Sequence, residues 1–447
     1  MSYAMLANTL RSAMEKQDTV AIEELVCEFQ PADLAEFLRH EETEVCLKIL
    51  AHLALAERAE VFGYLPLTLQ AEVAEEMTLE GLAQLLSSME SDERADLFNL
   101  MEEERQVAVL KLMAHEERED LRRMASYAEG TVGAIMTSNY ASVPERASVA
   151  EALDIVRKTA PDAETIYQIY VLDNIQRLVG TLSLRELILN RPSMPISSIM
   201  TTELLTTYPD EPQEDASRMI SRYDLLALPV IDAQQRLVGI VTYDDAMDVA
   251  EQEATEDILK GGTVGNLEGS LREASLFTLY RKRIVWLVLL VFANIFSAAG
   301  IALYEETIST YIVLVFFLPL LVGSAGNAGS QASTLMVRGL ATGDVLITDW
   351  ARMFAREFLV ALGLGLTMAL AVSLIGAVRG GPEIAMVVAS SMVAVVMLGS
   401  LVGMSLPFLL NKLGWDPATA SAPLVATIAD AVGVLVYFAI ATAILGL

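Results

Sequence analysis

Soft metal ligands are nearly absent from this sequence. Its two cysteines, Cys27 and Cys46, and three histidines, His40, His52 and His115, all fall in the first 115 of 447 positions. The cysteines lack the spacing of a metal pair and read as two buried apolar thiols in a reducing compartment. Beyond His115 only oxygen donors remain, which excludes a zinc or copper centre there and leaves hard cations such as Mg2+ or Ca2+. Positive charge is scarce too, with 30 Lys and Arg against 59 Asp and Glu and a net charge of −29. Such a surface excludes nucleic acid as a partner, because phosphate contacts need cations. It does concentrate cations around itself. A basic-then-apolar leader is also missing, so the N-terminus is expected to stay cytosolic.

The acidity is confined to one part of the chain. The first 270 residues hold 50 Asp and Glu with 21 Lys and Arg, and the remainder holds nine of each. Length alone allows two to four domains. Residues 1 to about 130 show apolar residues three and four apart in PADLAEFLRH, AEVAEEM, GLAQLLSSM, ERADLFNLM and RQVAVLKLM. That period predicts short paired helices forming a small superhelix, with Pro31 and Pro66 at helix starts. Asp92 and Asp96 would share one helix face, which as a solvated face needs no further explanation.

Residues 131 to 250 repeat internally. Met136-Thr137 recurs as Met200-Thr201, and IYVLDNIQRLVGTLSLREL (169–187) recurs as LPVIDAQQRLVGIVTYDDA (228–246). Each copy reads as strand, turn, strand, helix. The pattern resembles a tandem pair of CBS domains, an α+β regulatory module that implies binding of adenine nucleotides or ions rather than catalysis. Asp244 and Asp245 would cap the helix after the second strand. Residues 251–275 follow as a connecting segment: an acidic helix with Glu251, Glu253, Glu256 and Asp257, ending at Gly261-Gly262.

Five apolar segments follow, at about 284–303, 311–336, 354–378, 384–410 and 422–446, each long enough to span a bilayer. Arg281, Lys282 and Arg283 precede the first, Arg338, Arg352 and Arg356 lie between the second and third, and Lys412 follows the fourth. Only Arg379 falls on the other side, so positive charge places the N-terminal half inside and the C-terminus outside.

The last segment contains Asp430, in the run APLVATIAD, and no Lys or Arg to neutralise it. A helix starting near Ala422 would carry Asp430 roughly 12 Å into an apolar layer about 30 Å thick. An acid at that depth costs at least about 2.5 kcal/mol, so it is expected to face water or a cation. The second segment carries LPLLVGSAGNAGSQASTL (318–335), with Pro319 inside and glycines at 323, 326 and 329. Small residues there permit close helix approach. Asn327 and Gln331 lie four apart, on one face. Glu357, in the third segment, is expected to pair with Arg352 or Arg356.

The order acidic helical domain, CBS pair, acidic connecting helix and five spans resembles the MgtE family of magnesium channels over essentially the whole chain. The runs GNAGSQ (326–331), PLVATIAD (423–430) and EATEDI (253–258) carry the resemblance. It implies a multidomain membrane protein: an N domain at 1–130, CBS pair at 131–250, connecting helix at 251–275 and pore domain at 276–447. It further implies a homodimer in the inner membrane with one pore on its axis. Two copies of Asp430 would then hold a hydrated Mg2+, with Ala426 one turn away lining the path, and Pro319, Asn327 and Gln331 beside it. Cytosolic Mg2+ would bridge Asp92, Asp96, Asp224, Asp245, Asp248, Glu253, Glu256 and Asp257 and so close the pore. ATP is the implied nucleotide of the CBS pair, with Tyr170 and Arg185 near it. The sequence departs from some members at Ala422, where they carry an Asn.

Three other functions fit parts of the pattern: a broader divalent-cation carrier (Co2+, Ni2+, Ca2+), a proton-coupled transporter using Asp430, and a nucleotide sensor whose spans are only an anchor. None of them, nor the channel reading, expects enzymatic catalysis.

Overall fold

A computed structural model describes residues 3–16, 18–161, 163–265 and 274–446. The chain divides into two compact units, Met1–Gln252 and Glu253–Leu447.

The first unit begins with short helices that stack along the chain. Pro31 opens Pro31–Leu38 and Pro66 caps Leu67–Glu76, as the sequence leads one to expect. Their apolar stripes meet in one core, which includes Phe37, Phe62, Leu85 and Leu97 and continues into Ile220, Leu228 and Val241 of the second CBS copy. Cys46 is buried in this core, and burial pushes its thiol up to about 11. Cys27 is exposed, contrary to expectation, because it caps a helix at its C-terminus and points away from the apolar stripe. The last of the helices used below is α1 (Ser91–Leu100).

The two repeats fold alike. In the first, β1 (Tyr140–Pro144) runs parallel to β2 (Thr165–Leu172), which pairs antiparallel with β3 (Leu178–Ser183). In the second, β4 (Ala227–Ile231) pairs antiparallel with β5 (Leu237–Thr242). Each hairpin turns through an aspartate that accepts two backbone N–H bonds. Asp173 takes those of Ile175 and Arg177, and Asp232 those of Gln234 and Arg236, all at 2.9 Å. The Met-Thr repeat has a physical reason. Thr137 exchanges backbone bonds with Ile240 of the other copy, and Thr201 with Thr181. Met136 and Met200 lie over Gly239 and Gly180, where a Cβ would stand only 2.8 and 2.5 Å from sulfur.

The strand β5 passes directly into α2 (Tyr243–Gly261), a 19-residue helix carrying the acidic run. Part of the connecting segment, residues 266–273, lies outside the described residues.

The second unit is helical. It contains α3 (Leu276–Leu303), α4 (Leu314–Ala341), α5 (Trp350–Lys412) and α6 (Ala422–Leu445). Among the described residues, α3, α5 and α6 are long and apolar enough to cross a membrane, with mean hydropathy of 2.4, 2.4 and 2.2. At 28 residues α4 has the same length as α3. Its polar run Gly326–Gln331 dilutes its apolarity. As one rod, the 63 residues of α5 would measure about 95 Å, three times the apolar layer. It is instead two arms broken at Gly381, whose φ of 82° and ψ of −177° no helix contains. The arms pack on each other, with Gly365 facing Val393 and Gly376 facing Ala385.

Candidate ion path and cation-binding clusters

Within the membrane unit, Asp430 lies on the seam between α6 and α4. A Cβ on Gly326 would stand 3.3 Å from that of Ala426 and 3.7 Å from Asp430 Oδ1, so the carboxylate rests against a glycine. Only a small residue permits that approach. Among the described residues no charged side chain pairs with Asp430. Pro319, Gly323, Asn327 and Gln331 follow one another at four-residue steps and are all exposed, so they form one stripe along α4. The N-terminal end of α6 is tied to α4 by two serines. Ser330 Oγ donates to the Ala422 carbonyl at 3.2 Å and Ser333 Oγ to that of Ala420 at 2.7 Å. The polar face thus runs from Gln331 past Asn327, alongside a carboxylate without a counter-charge, and suits a cation that keeps part of its water.

Glu357 departs from expectation. Its partner is the buried Ser400 on the other arm of α5, whose hydroxyl donates to Oε1, and neither Arg352 nor Arg356 pairs with it among the described residues. The reason lies in helix direction. Glu357 falls on the stripe with Ala361, Gly365 and Ala369 that faces the second arm, while both arginines point away.

Acidic groups converge twice elsewhere. In the first unit, Glu90, Asp92 and Glu164 place carboxylate oxygens within 4.8 Å of one another, and so do Glu164, Asp244 and Asp245. Asp92 is 8% exposed and its Oδ1 has no hydrogen-bond partner. Thr242 Oγ1 donates to Asp245 Oδ2 at 2.5 Å, fixing that side chain at the start of α2. Burial pushes Asp92 and Asp245 up, each with help from a neighbouring acid. Burial likewise pushes Glu93 to about 8, and Glu164 to about 9 despite the Thr137 hydroxyl on its carboxylate. Carboxylates this crowded are held neutral by protons or filled by cations.

In the second unit, Lys260 Nζ lies 2.5 Å from both Glu256 Oε1 on its own helix and Asp416 Oδ2, which precedes α6. Burial raises Asp257, and the charge of Asp416 adds to it. Glu253 is half-buried on the same helix.

Of the residues singled out from the sequence, Asp92 and Asp245 come together. Asp96 is exposed one turn further along α1 and Asp248 is exposed on α2, and neither belongs to a triad. Asp224 caps the helix Gln213–Tyr223 in a left-handed conformation, with φ of 52°. Tyr170 is fully buried, with its ring against Tyr140 at 6.1 Å, so it offers no face to a nucleotide. Arg185 is exposed on the short helix Leu184–Leu189. Sequence reasoning missed Glu90, Glu164, Lys260 and Asp416. The acid in PDAETIY, isolated at the foot of a strand, was the available signal for Glu164.

Comparison with known proteins agrees with this arrangement. The family described as "divalent cation transporter", MgtE, matches residues 318–440. The MgtE intracellular N domain matches 29–130, and CBS domains match 132–192 and 196–251. The magnesium transporter MgtE of Thermus thermophilus is 42% identical over 73% of each chain. That of Enterococcus faecalis is 36% identical over 73% of this chain and 72% of its own. The crystal structure of the cytosolic domain of the Mg2+ channel MgtE in complex with ATP is 36% identical, with a TM-score of 0.52. That likeness covers 54% of this chain and 99% of that one.

Proposed function

This chain belongs to the MgtE family, and from that premise we propose that it carries Mg2+ across the inner membrane and is closed by Mg2+ on the cytosolic side. The observation that carries the reading is Asp430, an acid with no counter-charge set against the glycine and amide run of α4. It lies in a unit whose polar donors are all oxygen and nitrogen without a single Cys or His.

In this reading residues 1–130 are the sensor's N domain, 131–250 the CBS pair, 251–275 the connecting helix and 276–447 the pore domain. The pore domain spans five times, with the two arms of α5 as the third and fourth spans, the N-terminal half in the cytosol and the C-terminus outside. Two chains form the pore, and their Asp430 side chains hold one hydrated ion, with Ala426, Pro319, Asn327 and Gln331 along its path. Mg2+ keeps its inner waters at such a site, because it dehydrates reluctantly.

Closure follows from linkage. The acidic positions Asp92, Asp96, Asp224, Asp245, Asp248, Glu253, Glu256 and Asp257 repel one another without an ion, and a cation that binds them better when the domains are together shifts the population to that state. The relative solved with ATP supports a nucleotide at the CBS pair as a modulator.

The test is Mg2+ flux into liposomes holding the full chain. Asp430→Ala is expected to remove it. Undiminished flux in that variant, or none from the parent, would sink the channel reading.

A further inference from the structure

Glu164 is the one carboxylate common to both acidic triads of the first unit. It stands at the foot of β2 in the first CBS copy, and its backbone N–H donates to the Asn139 carbonyl at 2.9 Å, so its position is set by the sheet. The groups it meets come from elsewhere in the chain. Glu90 and Asp92 belong to the start of α1, and Asp244 and Asp245 to the start of α2, after the second copy's last strand.

Crowded acids alone do not make a site. Here the polar atoms are also left open. Glu164 Oε2 and Asp92 Oδ1 are buried without a hydrogen-bond partner, and so is the hydroxyl of the fully buried Tyr170. The neighbouring hydroxyls are already committed. Ser91 Oγ accepts from the Ser138 N–H at 2.7 Å and lies 3.0 Å from Thr137 Oγ1, and the Thr137 hydroxyl holds the Glu164 carboxylate. No hydrogen bond joins one of these carboxylates to another among the described residues. Shared protons therefore do not account for the arrangement. The ligand atoms are within 4.8 Å of one another, close enough to converge on one ion. Glu90 and Glu164 also line a polar cleft of about 990 Å3, which leaves space for the ion's water.

We infer that Glu164 is a divalent-cation ligand, supplied by the first CBS copy, through which one ion site ties the N-terminal helices to both CBS copies. The donor set is all oxygen and suits Mg2+, with Mn2+ as its spectroscopic substitute. This rests on the reading that cytosolic Mg2+ closes the protein through its acidic surfaces.

The experiment uses the full chain in detergent, with free Mn2+ followed by electron paramagnetic resonance and thermal unfolding recorded with and without Mg2+. Glu164→Gln is expected to lose one Mn2+ site or weaken it at least tenfold, and to reduce the rise in Tm on adding Mg2+. Without Mg2+ its Tm should equal or exceed the parent's, because glutamine still accepts from Thr137 and one buried like charge is gone. A fall in that Mg2+-free Tm would mark Glu164 as a structural acceptor and overturn the inference. Asp92→Asn separates the two levels of argument. Loss of Mn2+ in Asp92→Asn with none in Glu164→Gln overturns the role of Glu164 and leaves the sensor standing. If neither variant changes binding, the sensor reading itself fails.

Discussion

The two units treat an acid in opposite ways. In the membrane unit Asp430 stands apart from every other charge, beside glycine, alanine and two amides. In the soluble unit Glu90, Asp92, Glu164, Asp244 and Asp245 are pressed together until their oxygens share one small volume. The difference is one of residence time. A conducting site must bind well enough to admit an ion and weakly enough to release it. A sensing site gains from several carboxylates, because each adds to the preference for the ion-bound arrangement. One acid per chain suits passage, and five suit occupancy.

The largest effect should come from making the membrane site resemble the soluble one. Ala426→Asp places a second carboxylate one turn from Asp430 on the same face of α6. Mg2+ flux into liposomes should fall by about tenfold or more, since ions enter and then leave slowly. Flux at or above the parent's level would break the contrast between transit and capture. The converse change is next. Asp92→Asn dilutes the soluble cluster, and the Mg2+ concentration that protects the full chain from a protease should rise about tenfold, the cost of one charged ligand among several. An unmoved midpoint would place sensing elsewhere.

Much of this organisation was legible in the sequence, for identifiable reasons. Helix starts at Pro31 and Pro66 follow from local chemistry, and the repeated D-x-x-Q-R-L-V-G marks a hairpin whose aspartate bonds its own turn. Asp430 could be found because an acid in an apolar run stands out. Contacts made across long separations could not. Glu164 meets Asp92 from 72 positions away and has no acidic neighbour on its own strand to flag it. Tyr170 sits on an inward position of β2, and alternation alone does not say which face of a strand is covered on both sides. The pairing of Glu357 with Ser400 depends on α5 turning back at Gly381.

A smaller effect concerns pH. Glu93 and Glu164 are raised by burial to about 8 and about 9, and Asp92 and Asp245 are raised as well. Folded pKa values above the unfolded ones mean that the native state holds more protons. Without Mg2+, stability should therefore be greatest below about pH 4 as far as these groups are concerned, and fall as pH rises towards 9. Saturating Mg2+ should flatten that slope, because a bound cation replaces the protons. Thermal unfolding of the full chain between pH 6 and 9, in EDTA and in Mg2+, measures both. Equal slopes in the two conditions would show that the clustered acids are not where the ion acts.

The smallest effect belongs to Lys260, where the membrane unit supplies a fixed cation of its own. Its ammonium sits 2.5 Å from Glu256 and Asp416, in a group with side chains 35%, 27% and 38% exposed. Ion pairs this open to solvent contribute about 0–1 kcal/mol. Lys260→Gln should shift Mg2+-dependent protection of α2 by no more than about fivefold, the equivalent of 1 kcal/mol. The direction carries the information. With the ammonium gone, Glu256, Asp257 and Asp416 face one another uncompensated, so a divalent cation gains a vacancy and protection should set in at lower Mg2+. Protection that needs more Mg2+ would mean that the lysine and the ion act together in holding the helix, and that the membrane unit too accumulates charge in order to be occupied.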